Sequence, residues 1–117
     1  MINIGVDLID NSRFESMIND EKKIKRILSE FEQIIYSEIT SDKRKIEYLA
    51  SRFSAKEAVI KAINKENLSF SYSDISILND KKGAPYVVFN FEVDFEVLIS
   101  ISHTDTNSVC FAILKKK

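Results

Sequence analysis

A single cysteine, Cys110, and a single histidine, His103, are the first things the sequence is short of. One thiol cannot make an internal disulfide. Within Val109-Cys110-Phe111-Ala112-Ile113-Leu114 it reads as a small strand residue of a reduced, cytosolic protein. One Cys and one His are also too few nitrogen and sulfur ligands for a zinc cluster. No apolar run reaches about 18 residues and no basic-then-apolar leader is readable, so neither a membrane span nor a secretory signal is expected. The patterns G-x-x-x-x-G-K-[ST] and G-x-G-x-x-G are absent, which removes the common glycine-rich phosphate cradles and leaves cations to meet any phosphate. Net charge is −1, so the field of the whole molecule does not favour nucleic acid.

What is present is ordinary for a globular protein: 44% hydrophobic and 30% charged residues in 117. That length fits one domain over residues 1–117 and buries only about two-thirds of the chain's surface, which leaves room for oligomers. Basic residues cluster at Lys22, Lys23, Lys25 and Arg26, at Lys43, Arg44 and Lys45, and at Lys115 to Lys117. The last group reads as a solvated tail, whereas the first two could steer a polyanionic partner at near-zero net charge.

Strand alternation covers Ile2 to Leu8, with Ile2, Ile4, Val6 and Leu8 on one face of a half-buried strand and Asn3, Gly5 and Asp7 on the other. Gly5 thins the face beside Asp7 and suits close approach of a ligand or another backbone. Asp10-Asn11-Ser12 marks a helix start, with Ser12 and Glu15 forming a capping box ahead of Arg13, Phe14, Met17 and Ile18. Glu21 to Ile39 is helical by the spacing of Ile24, Ile27, Leu28, Phe31, Ile34 and Ile35, with a break near Asn19 or Ser29. Thr40-Ser41-Asp42 caps a long helix to about Ile63. Everything after Leu68 reads β: Asp74 to Leu78, Tyr86 to Phe91, Glu96 to Ser102 and Ser108 to Leu114, the first pair joined through Asn79 to Pro85. The fold class is α+β, with helices packed on a largely antiparallel sheet.

The long helix holds the most informative stretch, Arg52-Phe53-Ser54-Ala55-Lys56-Glu57-Ala58. At about 100° per residue, Ile46, Leu49, Ala50, Phe53, Val59, Ile60 and Ile63 share one broad arc, and Lys56 and Glu57 fall inside it. A desolvated carboxylate needs a cation, a metal or good donors. Lys56, Arg52, or Lys61 at i+4 could neutralise Glu57 as a plain ion pair. Taken singly, Asp7 reads as a turn residue or helix cap, and His103 as a plain surface residue where Val97-Leu98-Ile99-Ser100-Ile101-Ser102-His103-Thr104 enters a turn.

Together, in this order, Gly5-Val6-Asp7, Arg52 to Ala58 and Ser100-Ile101-Ser102-His103-Thr104 resemble the holo-acyl-carrier-protein synthase family of 4′-phosphopantetheinyl transferases. Arg13, Lys61 and the Asp80 to Tyr86 hairpin add to a similarity that spans nearly the whole chain. One departure is the stretch Ile63-Asn64-Lys65-Glu66-Asn67, where the family has a glycine-rich loop. The resemblance implies the small 4′-phosphopantetheinyl transferase fold and transfer of the 4′-phosphopantetheine arm of CoA to a serine of apo acyl carrier protein, releasing 3′,5′-ADP. By the same resemblance, Asp7 and Glu57 would ligate Mg²⁺ on the CoA diphosphate, and Lys61 would stabilise phosphate or transition-state charge. Asp7, Glu57 and Lys61 are thus the catalytic candidates. Lys43, Arg44, Arg52, Lys61, His103 and Thr104 would bind CoA, and Arg13, Lys22, Lys25 and Arg26 the acidic carrier protein. A homotrimer with active sites between subunits is implied as well, in the cytoplasm, without nucleic acid or membrane. The serine proton must reach a base, for which Glu57, a metal-bound water and a carboxylate of the carrier are all open.

Two other readings compete. A small α+β RNA-binding module would expose aromatics on a basic sheet, and Tyr86, Phe89 and Phe91 are a weak match better placed in a core. A degenerate relative would bind CoA or carrier protein without turnover.

Overall fold

The computed structural model describes residues 2–64 and 70–117. The chain opens with strand β1 (Ile2–Asp10) and a 3-10 helix (Asn11–Met17). Helices α1 (Glu21–Ile27), α2 (Glu30–Ser37) and α3 (Asp42–Ile63) follow, then a 3-10 turn (Tyr72–Asp74) and strands β2 (Ile75–Asn79), β3 (Pro85–Phe89), β4 (Phe95–His103) and β5 (Asn107–Lys116). β5 is central to a three-stranded antiparallel sheet in the order β1-β5-β4, while β2 and β3 form an antiparallel hairpin. This is the expected α+β arrangement.

Several local expectations hold for physical reasons visible in the chain. Ser41 caps α3 by accepting the Arg44 N–H. The expected break falls at Leu28-Ser29, where Ser29 and Glu32 make a reciprocal capping box that starts α2. The β2–β3 turn passes through Gly83 at φ +88, a left-handed conformation that glycine adopts without Cβ strain. The Ser12–Glu15 capping box does not form. The 3-10 helix begins two residues earlier, Asp10 is its N-cap, and no side chain caps it. Tyr72–Asp74, read as β, is a 3-10 turn whose Asp74 carboxylate accepts the Ser71 N–H.

The largest correction concerns β1. Ile2, Ile4, Val6 and Leu8, expected on the buried face, point outward and are 65%, 63%, 52% and 68% exposed. Asn3, Gly5 and Ile9 are buried instead. The inward face packs on α3 because small residues allow it: Gly5 meets Ala58, and Ala55, Ala58, Ala62, Cys110 and Ala112 share one core with Val59, Ile63 and Leu114. A Cβ on Gly5 would lie 2.0 Å from the Ala58 carbonyl oxygen. Phe89 belongs to the periphery of the same core and Phe91 packs between Phe70 and Phe89, whereas Tyr86, also expected in the core, is 45% exposed on β3.

Candidate active site

Contact between β1 and α3 brings Asp7 and Glu57 together. Ser54 Oγ donates to the Asp7 carbonyl at 3.1 Å, and Lys61 Nζ donates to the Val6 carbonyl at 2.9 Å and reaches Asp7 Oδ1 at 3.4 Å. Burial raises the Asp7 carboxyl above its ordinary value; Lys61 opposes this by hydrogen bond and charge, and the nearby Glu57 charge adds to it. Glu57 is not neutralised by Lys56. Its Oε1 accepts a hydrogen bond from the Tyr72 hydroxyl, which holds the phenol up to about 12. Two convergent carboxylates repelling each other across a half-buried site, with one lysine beside them, form a hard oxygen donor set. They fit a Mg²⁺ ion that completes its shell with water and phosphate oxygens. No group of three or more His, Cys, Asp or Glu suited to a metal occurs among the described residues, so a cation here would depend on such outside oxygens.

Lys56 turns inward. It is fully buried, pairs with Glu32, and donates to the carbonyls of Ile27 and Tyr72. Burial lowers its pKa, and the Glu32 charge pulls the other way. Glu32 is itself held by the N–H groups of Ser29 and Ile77 at 2.8 and 2.7 Å. The Lys56-Glu57 dipeptide thus divides its labour: one side chain locks the helices to β2, and its neighbour faces the carboxylate site. Arg52, another expected partner of Glu57, donates to Ser51 Oγ and to Asn79 Oδ1 and lies over the Tyr48 ring at 4.5 Å, and Lys61, the third, turns to Val6 and Asp7.

Arg44, Arg52 and His103 line a separate cavity of about 540 Å³, with Ile35, Tyr48 and Pro85 among its walls. Burial pushes the Tyr48 hydroxyl up to about 12. Two other expected CoA ligands lie elsewhere. Lys43 pairs with Asp105 at 3.1 Å and faces a second cavity with Asp10 and Glu15; that hydrogen bond raises its pKa. Thr104 Oγ1 accepts the N–H groups of Thr106 and Asn107 within the β4–β5 turn. Arg13 makes no ion pair with Asp10 or Glu15 in the structure; its guanidinium covers the Phe53 ring at 5.2 Å, and Phe53 in turn packs on Tyr72. Lys25 and Arg26 border a shallow hollow with Phe70 and Tyr72, and Lys22 lies with Asn19 and Asp20. The expected departure at Lys65, Glu66 and Asn67 lies outside the described residues. Tyr72 and Glu32 were not legible as site residues, since no spacing in the sequence links either to the Lys56-Glu57 pair.

The profile of the ACPS family, the 4′-phosphopantetheinyl transferase superfamily, matches residues 3–114. The holo-[acyl-carrier-protein] synthase of Acholeplasma laidlawii (strain PG-8A) is 42% identical over 114 residues, covering 97% of this chain and 96% of the relative. That of Geobacillus sp. (strain WCH70) is 42% identical over 120 residues, covering 99% and 98%. The crystal structure of a holo-(acyl-carrier-protein) synthase from Bacillus anthracis str. Ames in complex with CoA (3′,5′-ADP) superposes with a TM-score of 0.85 at 34% identity, covering 98% of this chain and 96% of that one. With the profile spanning almost all of its residues and relatives above 30% identity end to end, the chain belongs to the holo-[acyl-carrier-protein] synthases of the 4′-phosphopantetheinyl transferase superfamily.

Proposed function

We propose that this enzyme transfers the 4′-phosphopantetheine arm of CoA to a serine hydroxyl of apo acyl carrier protein and releases 3′,5′-ADP, in a Mg²⁺-dependent reaction in the cytoplasm. The observation that carries the reading is the convergence of Asp7, Glu57 and Lys61 where β1 crosses α3. Asp7 and Glu57 would hold the cation, and Lys61, anchored on the Val6 carbonyl, would keep a positive charge beside the phosphate that is attacked. When bound, Mg²⁺ would neutralise the diphosphate and the charge that develops on the leaving oxygen. Arg44, Arg52 and His103 would bind the 3′-phosphate end of CoA in the 540 Å³ cavity. Lys43 would reach that end only after parting from Asp105, and Thr104 would act by shaping the turn. Arg13, with Lys25, Arg26 and Lys22 farther out, would meet the acidic carrier protein beside the carboxylates.

A homotrimer completes this reading. The outer face of the sheet presents Ile2, Ile4, Val6 and Leu8 with Leu98 and Phe111, an apolar surface of the kind that marks a protein interface. The phosphate-binding cavity and the carboxylate site are distinct in one chain, so a site between subunits can draw on both. The test is to mix the protein with CoA, Mg²⁺ and apo carrier protein and weigh the carrier. The carrier should gain one phosphopantetheine, and Asp7→Asn and Glu57→Gln should each lose at least about 100-fold in turnover while keeping the parent's circular dichroism, as removal of a preorganised charge does. Near-normal turnover in either variant, or transfer in excess EDTA, would overturn the metal assignment; an unmodified carrier with the parent enzyme would overturn the activity.

A further inference from the structure

We propose that Tyr72 is a positioning residue that holds Glu57 in one orientation for a small divalent cation. This rests on the reading of Glu57 as a metal ligand. The Tyr72 hydroxyl donates to Glu57 Oε1, while Oε2 accepts no hydrogen bond among the described residues. With one oxygen engaged by a phenol, the carboxylate offers the other as a single donor. Such one-oxygen ligation suits the octahedral shell of Mg²⁺, whereas a larger ion such as Ca²⁺ readily takes both oxygens of a carboxylate.

The phenol is held from several sides. The Tyr72 carbonyl accepts a hydrogen bond from the buried Lys56 Nζ at 3.0 Å, so the residue preceding Glu57 in α3 fixes the backbone of the residue that orients Glu57. The ring packs on Phe53 with centroids 5.4 Å apart. The 3-10 turn that carries Tyr72 is closed by Ser71 and Asp74, and the Asp74 carbonyl accepts the Asn90 N–H at 3.0 Å beyond β3. A ligand carboxylate whose second oxygen is held by an outer donor binds metal more tightly, and loss of such a donor typically costs 10- to 100-fold in affinity.

The test is Mn²⁺ binding, with CoA present and no carrier protein, read by the free-ion electron paramagnetic resonance signal. Parent, Tyr72→Phe and Glu57→Gln are compared, together with competition by Mg²⁺ and Ca²⁺. Tyr72→Phe keeps the ring on Phe53, so melting temperature and metal-free CoA affinity should match the parent. Its Mn²⁺ affinity should fall about tenfold, and the preference for Mg²⁺ over Ca²⁺ should narrow. Parent-like Mn²⁺ affinity in Tyr72→Phe alongside lost binding in Glu57→Gln overturns the role of Tyr72 and leaves the metal site standing. Tighter binding in Tyr72→Phe makes the phenol a competitor of the metal and equally overturns it. Parent-like Mn²⁺ binding in Glu57→Gln removes the metal reading, and the role of Tyr72 falls with it.

Discussion

Gly5 and Cys110 show how tightly single residues are specified where β1 and β5 lie on α3. A methyl group at position 5 would meet backbone, the Ala58 carbonyl at 2.0 Å and the Ala62 nitrogen at 2.9 Å, and a helix backbone cannot step aside as a side chain can. Gly5→Ala should therefore cost at least about 1–3 kcal/mol, the usual range for overpacking, and should disturb Asp7 two residues on. Urea unfolding and transferase activity measured together check this, and a parent-like midpoint would refute the close contact. Cys110 lies opposite Asp7 in the β1–β5 register and is wholly buried. Burial pushes its thiol up from an ordinary 9.0 to about 12. Between those values the unfolded chain has released the proton and the folded chain keeps it, so stability falls as pH rises above about 9. Below that window the thiol adds no pH dependence. Cys110→Ala should flatten the fall between pH 9 and 10 by up to about 1.4 kcal/mol per pH unit. Unfolding curves across that range decide it; identical slopes in parent and variant would show the thiol to be solvated.

At the scale of elements, one buried ion pair joins parts far apart in the sequence. Lys56 and Glu32 are both wholly buried, and between them they bind the α1–α2 junction at Ile27 and Ser29, the middle of β2 at Ile77, and the turn at Tyr72. Breaking such a pair leaves an uncompensated charge in the interior, at a cost of about 3–5 kcal/mol. Lys56→Met should be destabilised by that order, and Lys56→Met with Glu32→Gln by less, because no unpaired charge is then left buried, although the amide oxygen can replace only one of the two carboxylate oxygens that accept the Ser29 and Ile77 N–H groups. Chemical denaturation of the two variants is the check. If the single variant unfolds within about 1 kcal/mol of the parent, the pair is not an energetic keystone of these elements. Here the sequence was legible up to a point. The period of α3 placed Lys56 and Glu57 inside the apolar arc and required a partner for Glu57, but Glu57 meets the Tyr72 hydroxyl, and it is Lys56 that is fully buried, paired with Glu32, 24 residues earlier in another helix.

For the whole molecule, the outward apolar face of β1 is the feature with the widest reach. Four large aliphatic residues in alternation read as a buried strand face in any single-chain account, and that expectation fails because α3 already occupies the other side. In the proposed trimer these residues regain the burial that the alternation suggested. Val6→Lys places a charge in the middle of this face without touching the Ala58 contact. It should shift the enzyme to a monomer in sedimentation analysis and reduce transfer by at least about tenfold if subunits share the active site, since an unpaired interfacial charge costs several kcal/mol. Retention of trimer and activity together would exclude this face from the interface. A monomeric parent would remove the trimer from the proposal and leave the carboxylate site as it stands.

Local chemistry was enough to specify the cap at Ser41, a break at Ser29, the glycine turn at Gly83, the order of helices and strands, and the three motifs whose combination points to the family. Those features depend on near neighbours, so a window of a few residues contains their cause. Which face of β1 is buried, which carboxylate meets Lys56, and which hydroxyl holds Glu57 depend on approaches between segments 15 to 50 residues apart. There the periodicity of a strand allows two opposite faces equally, and only the small residues of α3 packed against Gly5 chose between them.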